Sequence, residues 1–81
     1  MKTVYLSVVR DESSMRFHFR GKDIPAGLVE FGRKASNGVF VDGTAGDLMP
    51  VLAACDYLRD CGVENIVNDG WSGRVNGTQV C

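Results

Sequence analysis

The chain has 81 residues, of which 44% are hydrophobic and 23% charged, and it carries a formal net charge of -1. Such a length supports one small core and excludes a second lobe, the composition excludes global disorder, and the near-neutral charge argues against a general nucleic-acid binder. No apolar run approaches the roughly 18 to 20 residues that span a bilayer, and "MKTVYLSVVRDE" reaches charge too soon for a signal peptide, so the expectation is a soluble, cytoplasmic protein.

Residues 3 to 10, "TVYLSVVR", set Val4, Leu6 and Val8 against Tyr5, Ser7 and Val9, the alternation of a half-buried strand rich in β-branched side chains. "DESS" supplies a reversal, and "MRFHFR" repeats the alternation with Met15, Phe17 and Phe19 against Arg16, His18 and Arg20. The two runs predict a β-hairpin with one apolar and one cationic face. Next, Asp23 is placed to cap a helix in which Ile24, Leu28, Phe31 and Ala35 recur at helical spacing. Gly27 and Gly32 weaken that helix by about 1 kcal/mol each relative to Ala, so it relies on tertiary packing.

"VFV" at 39 to 41 predicts a mid-sheet strand buried on both sides. "DGTAGD", at 42 to 47, sits where phosphate loops occur, but it lacks their glycine-lysine patterns and carries acids at both ends, so a tight turn is expected. A helix follows with Asp47 as N-cap, Pro50 in its first turn, and Leu48, Val51, Leu52, Cys55 and Leu58 along one face, closed by Gly62 with Val63 folding back. "ENIVND" then returns as a strand, which makes the two strands flanking this helix parallel. The glycine-rich stretch from Asp69 to Cys81 is expected to be partly ordered around Trp71, with Asp69-Gly70 or Asn76-Gly77 able to turn a short extra hairpin.

The predicted fold is α+β: a single domain over residues 1–68, with a mixed four-stranded sheet in the order β-β-α-β-α-β and two helices packed on one face, followed by a tail over 69–81. Cys55, Cys61 and Cys81 form no metal-binding spacing, and a zinc site would need all of them plus the single histidine, His18. Buried, reduced thiols are expected, with Cys81 exposed and prone to intermolecular disulfides. His18 is predicted on the face opposite the core, away from Cys55 and Cys61, and no carboxylate pair is singled out, so no enzymatic activity, catalytic residue, metal or cofactor is expected. Asn76-Gly77-Thr78 matches a glycosylation sequon, but without a secretory signal it reads as a turn.

The row Arg16, His18, Arg20, with Tyr5 beside it on the neighbouring strand, is the candidate binding surface. Charge along the chain is uneven: residues 1–38 hold seven Lys/Arg and four Asp/Glu (+3), and residues 39–81 hold two and six (-4). Such polarity can steer a charged partner, although two halves of one small domain interleave in space. The phenylalanines of "MRFHFR" share the face opposite the arginines, whereas an RNA-binding sheet stacks bases on open-face aromatics, which further disfavours nucleic acid.

The segments "TVYLSVVRDESSMRFHFRGKDIP" and "VFVDGTAGDLMPVLAACDYLRDCGVENIV" resemble the paired strands, Asp-containing turn, "L-x-x-x-G-V" helix end and closing strand of the periplasmic domain of the ExbD/TolR family of energy-transducing membrane proteins. The likeness spans residues 3 to 67 and implies a fold, together with ligand or peptide binding at a sheet edge and a membrane partner. The transmembrane helix of that family, with its proton-linked aspartate, has no counterpart in this sequence, so no proton-coupling residue carries over. The leading functional expectation is a non-enzymatic interaction module, an inhibitor or adaptor that occupies a surface of a larger protein with an acidic surface. Phage and mobile-element products that block host machinery, CRISPR defence included, are frequently small domains of this kind. An ExbD/TolR-like binding domain is the alternative and a weak nucleic-acid binder the third, with homodimerisation left open.

Overall fold

A computed structural model describes residues 1–81, and it is an α+β fold whose main sheet is mixed and has five strands, in the order 33–34, 39–43, 15–20, 3–10 and 65–68. The predicted hairpin forms its centre: β1 (Thr3–Arg10) and β2 (Met15–Arg20) pair antiparallel, with Leu6 opposite Phe19 and Val8 opposite Phe17. Asp11 and Ser14 close the reversal, the Asp11 N–H donating to the Ser14 carbonyl at 2.9 Å. Two later strands dock on the two edges of this hairpin. β4 (Val39–Gly43) runs antiparallel to β2, and β5 (Asn65–Asn68) runs parallel to β1. Consequently β4 and β5 are parallel to each other, as expected of the strands flanking a crossover helix, but the hairpin lies between them.

That helix, α1 (Met49–Asp60), buries Val51, Ala54, Cys55 and Leu58. Asp47 sits one residue ahead of the observed cap position, and its carboxylate accepts from the Met49 N–H at 3.2 Å. At the other end Gly62 takes a left-handed conformation (φ +88), its N–H reaching the Arg59 carbonyl and that of Val63 the Leu58 carbonyl, both at 3.0 Å. This paired closure satisfies carbonyls that the last turn would otherwise leave open.

The expected helix over residues 24–35 is replaced by a 3₁₀ helix (Ala26–Phe31) and a short strand, β3 (Arg33–Lys34), which pairs with β4. Sheet pairing supplies the physical reason. Gly32 lies against the Phe40 backbone so closely that a β-carbon there would collide with the Phe40 carbonyl, and Gly27 likewise abuts the Tyr57 hydroxyl. Asp23, expected as a helix cap, instead accepts from the Thr3 N–H at 3.0 Å. The two-helix, four-stranded arrangement is therefore corrected to five strands, one α-helix and one 3₁₀ helix.

Beyond β5, the chain crosses to the helix side of the sheet. Trp71 donates its indole N–H to the Leu6 carbonyl at 2.9 Å and sets its ring edge-on to Phe17 at 5.8 Å. β6 (Arg74–Val75) and β7 (Thr78–Gln79) then form a hairpin through Asn76-Gly77, both with positive φ, and place Val75 and Val80 in the core. Cys81 ends in a disulfide with Cys55 across a Cα separation of 5.9 Å. The expectation of reduced thiols and an exposed Cys81 is thus corrected: Cys55 faces inward from α1, and the tail delivers Cys81 to the same spot. Only Cys61 remains free.

The core contains Val4, Leu6, Phe17, Phe19, Leu28, Val39, Val41, Val51, Ala54, Cys55, Leu58, Val63, Val75 and Val80, with no buried polar or charged residue. α1, the 3₁₀ helix and the tail all cover one side of the sheet. The other side is open.

Candidate functional site

Strand alternation decides what the open side carries. In register, Tyr5 stands opposite Arg20, Ser7 opposite His18 and Val9 opposite Arg16 on the β1/β2 pair, while β4 brings Asp42 beside Arg16 and Phe40 beside His18. β3 adds Arg33 opposite Phe40. Tyr5, Arg16, His18 and Arg20 therefore share one face, joined by Phe40 and Arg33. Phe40 corrects the expectation that "VFV" is buried on both sides and lies mid-sheet. β4 is one strand in from the edge, and no helix covers this face, so Val39 and Val41 enter the core while Phe40 lies half-buried on the open side.

The guanidinium groups are held over aromatic rings. Arg16 lies 5.3 Å and Arg33 5.8 Å from the Phe40 ring centroid, and Arg20 lies 5.3 Å from that of Tyr5. His18 packs beside Phe40 with ring centroids 4.5 Å apart, and the Asn37 carbonyl accepts from its Nε2. Asp42 is shared between Arg33 and Arg16, the latter at 3.8 Å, and Asp69 pairs with Arg20. With His18 neutral, the face carries three arginines and two aspartates, a net +1.

Those ion pairs are cheap to exchange. Asp42 is 55% exposed and Asp69 52%, and solvent-screened pairs of this kind contribute about 0–1 kcal/mol each. A cation over a ring adds roughly 0.5–1 kcal/mol at an exposed site and favours holding each guanidinium on this face before a partner arrives. At the hairpin end, a depression of about 310 Å³ lined by Val9, Arg10, Asp11, Ser14, Arg16 and Asp42 adjoins the face and brings Arg10 to its margin. Tyr5 is 41% and Val9 59% exposed. The result is a patch of arginine, aromatic and aliphatic surface with exchangeable carboxylates.

Other chemistry-bearing groups lie elsewhere. Asp42 faces the arginines, whereas Asp47 belongs to the turn before α1, where Thr44 and Asp47 exchange backbone hydrogen bonds at 3.1 Å. The expected tight turn is what "DGTAGD" forms. Cys61 closes α1 on the covered side, and its thiol, followed by burial, pushes the Tyr57 phenol above its ordinary pKa. His18 and Cys61 are thus separated by the sheet.

Sequence alternation alone located Tyr5, Arg16, His18 and Arg20. Arg33 was hidden inside a predicted helix, and Phe40 inside a continuous apolar run. Antiparallel pairing of residues 39–43 with "MRFHFR" is the signal that places Phe40 with the arginines, because facing residues share a side.

Fold and face together define an open-faced α+β sheet module with a cationic, aromatic surface. Comparison with protein-family models, curated proteins and solved structures finds no match for the chain. The ExbD/TolR resemblance is neither supported nor contradicted by these comparisons. No helix is long and apolar enough to cross a membrane.

Proposed function

We propose that the chain is a non-enzymatic interaction module, an inhibitor or adaptor, that applies the open face of its sheet to an acidic surface of a larger protein. The observation that carries this reading is that Arg16, Arg20 and Arg33 share one face of the sheet, each with its guanidinium over the ring of Phe40 or Tyr5. Arginine and large aromatics are the residue types enriched at protein-binding hot spots, and lysine, depleted there, is absent from the centre of this face. A partner's carboxylates replace Asp42 and Asp69 as bidentate acceptors, with the aromatic floor excluding water around them. Occupation of host machinery by a phage or mobile-element product is one form that such a role takes.

Tyr5 and Phe40 on the open face favour a second reading, stacking of single-stranded nucleic acid, which the partly neutralised charge opposes. Capture from nuclease-treated extract, comparing wild type with Arg16→Glu/Arg20→Glu and with Phe40→Ala, tests the proposal once circular dichroism shows that both variants are folded. A stoichiometric protein held by wild type and lost by both variants supports it. Equal capture by all forms returns the face to solvent. Binding of a single-stranded oligonucleotide that collapses steeply with salt would replace the first reading with the second.

A further inference from the structure

The segment from Trp71 to Cys81 covers the core without joining the main sheet. Its strands pair only with each other, as a separate two-stranded sheet. What holds it down is the burial of Val75 and Val80, at 2% and 3% exposure, the Trp71 hydrogen bond to Leu6, and the Cys55–Cys81 bond, which joins positions 26 residues apart. Beneath its start lies a weak point. The Asn68 side-chain oxygen is buried with no hydrogen-bond partner, a loss that water would repair as soon as the segment lifted. The remaining core, from Val4, Leu6 and Phe19 to Leu28, Val39, Val41, Val51 and Leu58, is built from the sheet, α1 and the 3₁₀ helix.

We infer that Cys55–Cys81 is a reducible latch and that residues 71–81 are a strap, docked over the core when the bond is closed and released when it opens, while the sheet and α1 stay folded. The reductant is a dithiol. Cys55 is fully buried and Cys81 only half-buried, so attack falls on the Cys81 sulfur. Its thiolate bonds to Cys81, the S–S bond breaks, and Cys55 leaves as a thiolate that takes up a proton. The second thiol of the reductant then displaces Cys81, which leaves as a thiol. Two electrons and two protons have passed to the protein, and the reductant departs as a disulfide. Reopening the closed loop returns entropy to the lifted strap and raises its population on the order of 10²-fold.

Trp71 is the single tryptophan, so its emission reports strap docking directly. The experiment follows that emission, together with amide exchange, in the full chain before and after dithiothreitol, with the gain of two thiols confirmed by mass. The expected result is a red shift of Trp71 and loss of protection at residues 71–81 on the order of 10²-fold, with β1, β2 and α1 unchanged. Cys81→Ser should show the released state without reductant, and Cys61→Ser should keep the oxidised behaviour. Unchanged emission and tail protection after complete reduction would overturn the latch. So would equal loss of protection through the sheet and α1, since the bond would then staple the whole fold.

Discussion

Two glycines separate a packing requirement from mere tolerance. Gly32 meets backbone, the Phe40 carbonyl, whereas Gly46 has nothing within 4 Å of where a β-carbon would stand. Backbone held in a sheet ladder yields less than a flexible side chain, so Gly32→Ala should cost about 2 kcal/mol or more. Gly46→Ala should be neutral or stabilising by about 0.5 kcal/mol, because it only restricts the unfolded chain. Urea unfolding of the two variants checks the contrast. The same crowding at Gly32 seats β3 beside Phe40, so the costly variant should also disturb the arginine stacking, whereas the benign one should not.

Helix α1 and the central hairpin were legible because their apolar residues recur at one period over a full element. The stretch from Asp23 to Lys34 was not, because Leu28, Phe31 and Ile24 fit helical spacing while the close approach of Gly32 to β4 is a tertiary fact that no local pattern records. The tail hid its disulfide for a related reason. Neither Cys55 nor Cys81 has a telling neighbour, and only the path of the chain brings them together. Where the local signal was clear, its energetic content is testable. Asp47→Ala removes the acceptor of the Met49 N–H and should destabilise the fold by about 1 kcal/mol, with increased amide exchange confined to the first turn of α1. Loss of protection along the entire helix would instead show that all of α1, not only its first turn, depends on that cap.

Folding cancels most of the charge asymmetry along the chain. The ion pairs Arg16–Asp42, Arg33–Asp42 and Arg20–Asp69 each join a cation of the first half to an anion of the second, leaving a face of net +1 on a chain of net -1. Partner binding through that face should therefore weaken only moderately with salt, in contrast to a phosphate-dominated complex. Topology points to an order of assembly. The β1/β2 hairpin is local in sequence, whereas Thr3 must find Asn65 to seat β5. Phe19→Leu in the hairpin should mainly slow folding, and Val80→Ala in the tail should mainly speed unfolding, each by up to about tenfold in stopped-flow kinetics. The reverse partition would place the nucleus in the tail.

The central position of that hairpin also matters while the chain is being made. β2 is covered by β4 soon after it emerges, but the outer edge of β1 waits for residues 65–68. Until then it presents an alternating, β-branched strand with unpaired backbone, the kind of edge that recruits other chains. A chain halted between β4 and β5 should accordingly self-associate through β1, and β5 serves as the guard that ends this exposure.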